Sequence, residues 1–211
     1  GLEISMVENI DYCIPTTSGT SANWALITTS AAGSNFVQNL VQKYIDYFAA
    51  KGCTMFNIAA DECGFDSSDN AEYTAYAKFV NSLAARVQKA GMTALAFNDG
   101  IYHKGLTSDT AFDTSIAICY WDASSNKYAP AADLAVKGFK IINTHNKWYY
   151  VIGASDSGWY GATWSKNNMN GTGASDCIAD KCYVTDGGYT TKVGCMNAIW
   201  CDTPKNSADM S

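Results

Sequence analysis

Apolar positions recur at helical spacing in SNFVQNLVQKYIDYFAAKG, at Phe36, Val37, Leu40, Val41, Tyr44, Ile45 and Phe48, and Gly52 closes the run. The next stretch, CTMFNIAAD, is a nearly continuous apolar run, the pattern of a strand covered on both faces. DNAEYTAYAKFVNSLAARVQKAG returns to helical spacing, with Asp69 and Glu72 placed as a capping box and Gly91 as its stop. Then follow a buried strand and turn in MTALAFNDG, a strand in TSIAICYWD, a short helix in PAADLAVKG and a strand in FKIINTH. A last strand, GCMNAIWCD, lies near the C-terminus. The five strands are expected near 53–60, 92–98, 115–121, 138–144 and 195–201.

Strands that alternate with helices imply right-handed crossovers and a parallel sheet. Each strand runs out in polar or aromatic residues: Asp61-Glu62, Asn98-Asp99, Trp121-Asp122, Asn143, and Trp200 with Asp202. In a parallel β/α barrel such ends ring one mouth, where the chemistry sits. An open doubly wound sheet is the rival fold, but neither G-x-G-x-x-G nor a Walker loop follows a strand. Between the fourth and fifth strands, residues 146–194 read as a long irregular segment rich in Gly, Ser, Asn and aromatic residues, a composition suited to sugar faces.

Composition narrows the function. The 211 residues suffice for one large domain, and the net charge of −6 argues against a nucleic-acid partner. No stretch is long and apolar enough to span a bilayer, and the first residues lack the basic and apolar regions of a signal peptide. The eight cysteines are spaced too loosely for a zinc site, and only His103 and His145 could assist. Small buried hydrophobes is the simplest reading of the cysteines, with a Cys177–Cys182 disulfide as the exception the spacing allows.

The ordered strand ends, F-N-x-x-x-D-E, F-N-D-G, Y-W, W-Y-Y and I-W-C-D, resemble the second half of the catalytic barrel of glycoside hydrolase family 20. That family includes β-N-acetylhexosaminidases and lacto-N-biosidases, and the likeness is nearest to bacterial cell-surface exo-hexosaminidases. The resemblance covers the chain from about residue 35 onward. It implies an α/β fold in the form of a partial (β/α)8 TIM barrel, strands four to eight, and a single incomplete catalytic domain over 1–211.

The resemblance also assigns roles. Glu62 is the general acid and then the base, and Asp61 orients the substrate's 2-acetamido group and steadies its developing positive charge. Tyr149 binds the acetamido carbonyl, with Tyr150 as the alternative. Trp121 and Trp200 wall the pocket, Phe97 stands where many members carry tryptophan, and Asp202 holds outer sugar hydroxyls. The substrate's own acetamide attacks the anomeric carbon, so no protein nucleophile, metal or cofactor is required. The implied partners are glycans ending in N-acetylglucosamine or N-acetylgalactosamine. A disaccharide-releasing lacto-N-biosidase and a glycan-binding barrel without turnover stand as alternatives.

Two departures from the family pattern stand out. The usual H-x-G-G-D-E is here Asn57-Ile58-Ala59-Ala60-Asp61-Glu62, with methyl groups where glycine allows close packing. A whole barrel also takes about 250 residues, and strands one to three have no counterpart here. Exposed sheet edges and self-association are therefore expected. The analogy implies an extracellular or cell-surface bacterial setting, while the cysteine content leaves a cytoplasmic one open.

Overall fold

The computed structural model describes residues 13–16, 23–26, 31–61, 70–121, 127–144, 150–152, 196 and 198–200. The elements are β1 (Cys13–Thr16), β2 (Asn23–Leu26), α1 (Ala31–Ala50), β3 (Met55–Asn57), α2 (Asn70–Lys89), β4 (Thr93–Phe97), β5 (Ala117–Tyr120), α3 (Ala131–Val136), β6 (Lys140–Asn143), β7 (Tyr150–Ile152) and β8 (Ala198–Trp200). Strands β3 to β6 form one parallel sheet in chain order. The chain divides into two compact units, residues 1–117 with 126–129, and residues 118–125 with 130–211.

In the first unit, β1 and β2 form an antiparallel pair that the hydrophobic pattern did not reveal. Strand β3 pairs in parallel with β4, Met55 opposite Thr93 and Asn57 opposite Leu95. Helix α2 buries Tyr73, Tyr76, Ala77, Val80, Leu83, Ala84 and Val87, a stripe at three- and four-residue intervals. Ala77, Ala84, Ala94 and Ala96 are fully buried, so small side chains accompany the packing of α2 against β4. Helix α1 joins α2 through Val37, Phe79 and Leu83, flanked by Val41 and Ile58. Beside this apolar seam, the Arg86 guanidinium donates to the side-chain carbonyls of Gln38 (2.9 and 3.2 Å) and Gln42 (3.1 Å). Gly52 and Gly91 end the two helices at φ 78° and 80°, the left-handed stop expected of glycine.

Strand β4 is buried at four of its five positions. Strand β3 is not covered as its apolar run predicts: among the described residues it stands at the end of the strand order, and Met55 is 56% exposed. An edge strand has a neighbour on one side only, so the run marks a strand without marking its place in the sheet.

After β4, the loop is tied back to α2. Asn81 accepts from the Asp113 N–H (2.9 Å) and donates to the Ala111 carbonyl (2.8 Å). Asp113 in turn accepts from the Ser115 hydroxyl (2.6 Å), the Ser115 N–H (2.9 Å) and the Gln88 amide (3.2 Å).

In the second unit, β6 follows α3 after Gly138, whose φ is 100°. The Thr144 N–H donates to the Tyr120 carbonyl (3.1 Å), and the Met196 N–H to the Asn143 carbonyl (2.9 Å). The fifth predicted strand forms at β8 and pairs in parallel with β7, which lies in the stretch read as irregular.

The cysteines divide. Cys119 in β5 is fully buried, as expected, and burial pushes its thiol up to about 12. Cys53 is exposed, against the expectation, because it lies in the turn between α1 and the edge strand. Cys177 and Cys182 lie outside the described residues.

Two outcomes follow from this packing. Under native conditions iodoacetamide modifies Cys53 readily and Cys119 only on unfolding, as peptide mapping by mass spectrometry will read. Burial alone raises the Asp113 carboxyl, but the donors from Ser115 and Gln88 outweigh it and leave the group below its ordinary 3.8. A carboxyl lowered on folding contributes stability that is present above the unfolded value and lost as pH falls through the folded one. Asp113→Asn therefore lowers the urea midpoint at pH 6 and makes a smaller difference below pH ~3, by the same linkage.

Candidate active site

The ladder between β3 and β4 continues beyond the last strand residue of β3. The Ile58 N–H donates to the Leu95 carbonyl (2.9 Å), and the Phe97 N–H donates to the Ala59 carbonyl (2.8 Å). Between these bonds the chain turns sharply. The Asn57 side-chain oxygen accepts from the Ala59 N–H at 2.8 Å, a local Asx turn. Ala59 and Ala60 then take φ of 65° and 66°, the left-handed region that glycine favours and alanine avoids by about 1–2 kcal/mol. These are the two positions where the family pattern has glycine. Two consecutive alanines thus hold left-handed backbone, at a cost that the surrounding bonds must offset.

Helix α2 supplies those bonds. The Tyr76 hydroxyl donates to the Ala60 carbonyl (2.9 Å), and the Tyr73 hydroxyl donates to the Gly100 carbonyl (3.1 Å) while accepting from the His103 N–H (2.7 Å). The two rings stack at 6.1 Å, and Phe112 meets both edge-on at 5.8 and 6.1 Å. Gly100 is required by space: a Cβ there would run into the Tyr76 hydroxyl and come within 2.5 Å of the Ala60 carbonyl. The turn after β3 and the turn after β4 are therefore packed against each other at Ala60 and Gly100.

The predicted residues fall as follows. Asp61 leaves this turn half-buried. Phe97 closes β4, is 8% exposed, and ties the Ala59 carbonyl through its N–H. In the second unit Trp121 directly follows β5 and is half-buried, and Trp200 is the last residue of β8. Glu62, Tyr149 and Asp202 lie outside the described residues, as does the side chain of Tyr150. The structure thus joins the approach to Asp61 with Phe97.

Some features escaped the sequence. Asn98 and Asp99, in the turn predicted after the second strand, are 0% and 3% exposed at the end of β4. Asn143, the last residue of β6, and Thr144 after it are similarly buried, and the Thr144 hydroxyl has no hydrogen-bond partner among the described residues. The His103 ring donates from Nδ1 to the Lys104 carbonyl (3.0 Å). Among the described residues no three His, Cys, Asp or Glu side chains are grouped to hold a metal. No helix among them is long and apolar enough to cross a membrane. An open groove of about 390 Å³ along α2, lined by Asn70, Thr74, Lys78 and Asp109 among others, contains none of the predicted site residues.

A parallel sheet with crossover helices and polar, braced turns at the strand ends defines the class: an α/β structure of TIM-barrel type. Comparison with solved structures makes it specific. The chain is similar to the GH20 catalytic modules of the pneumococcal exo-β-D-N-acetylglucosaminidase StrH, at 28% identity over 86% of this chain and 46% of that one, with a TM-score of 0.68. A second StrH structure, concerned with N-glycan recognition and hydrolysis, matches at 27% identity over 86% and 45%, with a TM-score of 0.69. Dispersin B shares the fold at 21% identity over 86% and 55%, with a TM-score of 0.61. The structural neighbours are thus glycoside hydrolase family 20 enzymes, and the chain carries a partial TIM barrel of their type. It spans about half the length of the solved enzymes it matches. No protein-family model matches it.

The geometry reverses the usual expectation for glycine and alanine. Ala59→Gly and Ala60→Gly should each leave stability unchanged or raise it by up to ~1 kcal/mol, since glycine enters the left-handed region without strain. Gly100→Ala should cost ~1–3 kcal/mol through overpacking. Urea unfolding of the three variants checks both signs.

Proposed function

We propose that the chain supplies strands four to eight of the catalytic barrel of an exo-acting β-N-acetylhexosaminidase, an enzyme that removes terminal β-linked N-acetylhexosamine from glycans with retention. A GH20-type fold supports glycoside hydrolase activity in general terms. The observation that carries the finer reading is the turn Asn57–Asp61. It holds left-handed backbone at both glycine positions of the family motif and leads directly into the Asp-Glu pair.

In this reading Glu62 protonates the leaving glycosidic oxygen. Asp61 holds the substrate's acetamido nitrogen as its carbonyl oxygen attacks the anomeric carbon. The bond to the leaving group breaks, and a cyclic oxazolinium forms with its positive charge beside the Asp61 carboxylate. Glu62, now ionised, takes a proton from water as that water opens the ring. Placing two carboxyls on adjacent residues gives each task its own group, Glu62 for the proton and Asp61 for the developing charge. Trp121, Trp200 and Phe97 wall the acetyl group and sugar face, Tyr149 binds the acetamido oxygen, and Asp202 takes the outer hydroxyls. An extracellular or cell-surface bacterial setting goes with the same reading.

The full-length protein should hydrolyse 4-nitrophenyl β-N-acetylglucosaminide and be inhibited by a thiazoline that mimics the cyclised acetamide. Glu62→Gln should lower kcat by about 10²–10⁴-fold, the range for a lost general acid, and Asp61→Asn should weaken thiazoline inhibition as well as turnover. A protein that leaves this substrate intact but cleaves a lacto-N-bioside is a lacto-N-biosidase. One that cleaves neither yet binds the glycans is a binding module.

A further inference from the structure

We propose that Tyr76 is a positioning residue of this site, its hydroxyl clamping the Ala60 carbonyl so that the peptide leading into Asp61 keeps one orientation. The proposal rests on the hexosaminidase reading for its catalytic consequence and on geometry alone for the clamp. The Ala60 carbonyl belongs to the Ala60–Asp61 peptide, so whatever fixes that oxygen fixes the plane from which Asp61 departs. Ala60 is in a backbone conformation that alanine does not choose by itself. Release of its carbonyl would let φ relax out of the left-handed region and rotate that plane. The Tyr76 hydroxyl meets the oxygen at 2.9 Å.

The clamp is rigid at its other end. Tyr76 is 5% exposed, stacks on Tyr73 and abuts Phe112. Gly100 lies so close to its hydroxyl that any side chain at 100 would displace it. A ring buried only for packing could be phenylalanine, as Phe112 is in the same cluster. The hydroxyl is aimed instead at the one carbonyl between the strained turn and the candidate carboxylates. Small misplacements of catalytic groups cost rate more than binding, so the expected effect falls on kcat.

Tyr76→Phe, Ala60→Gly and the double variant of the full-length protein form the test, with native amide exchange at Ala59 and Phe97, thermal melting, and kcat and KM on 4-nitrophenyl β-N-acetylglucosaminide as readouts. Tyr76→Phe should melt within a few degrees of wild type, speed exchange at those two amides by about tenfold, and lower kcat by roughly ten- to a hundredfold with little change in KM. In the double variant part of the kcat loss should return, because glycine at 60 holds the left-handed conformation without the clamp. Unchanged exchange at both amides overturns the clamp whether or not the protein is active. A kcat within twofold of wild type, or a loss that Ala60→Gly leaves untouched, overturns the positioning role. A wild-type protein that hydrolyses neither substrate class removes the hexosaminidase reading and with it the catalytic consequence, while the exchange measurement still decides the clamp.

Discussion

A phenol that leaves water needs a hydrogen-bond partner, and in this chain two such phenols find theirs in the turns that follow neighbouring strands. Tyr73 and Tyr76 lie three residues apart on α2, so both rings face the sheet one above the other. Their hydroxyls take the Gly100 and Ala60 carbonyls, groups that the parallel ladder no longer serves once the strands have ended. One helix face thereby satisfies buried polar groups of its own and of two turns at once. The approach to Asp61, the close contact at Gly100 and the placement of the loop after β4 all depend on it.

The remainder of the first unit makes that brace stiff. Fully buried alanines on α2 and β4 accompany a close approach of helix and strand, and the Arg86 fork ties α1 to α2. The loop after β4 is anchored to α2 by Asn81 and Gln88. A helix held on three sides has little freedom to give way, so strain in the Ala59–Ala60 turn is met by bonds and packing instead of relaxation. This is the division of labour expected of parallel β/α structures, in which helices and strands form the scaffold and strand-end turns carry the chemistry.

Much of this was legible in the sequence. The helical stripes of α1 and α2, the glycine stops at Gly52 and Gly91, and the strands at β4, β5 and β6 follow from spacing and residue type, since a stripe and a buried run express one-dimensional rules. The family resemblance rested on ordered strand ends and led to the same solved structures. The exposed β3 and Cys53, the β1–β2 and β7–β8 pairs, and the burial of Asn98 and Asp99 were not legible. Each depends on which segment lies alongside, and hydrophobicity along a chain carries no information about neighbours.

The motif departures show where that boundary runs. From sequence alone, alanine at 59 and 60 reads as two methyl groups added to a crowded place. Sequence determined the order of elements from α1 to β6, the position of the Asp-Glu pair after a strand, and the chemistry open to it, because these rest on residue type and spacing. Only tertiary structure decided that both alanines sit in the left-handed region, that Asn57, Phe97 and Tyr76 hold them there, and that residue 100 must be glycine. Backbone strain is tolerated only when other contacts outweigh it, and beside the local Asn57 bond the Tyr76 and Phe97 bonds here join residues sixteen and thirty-eight positions apart.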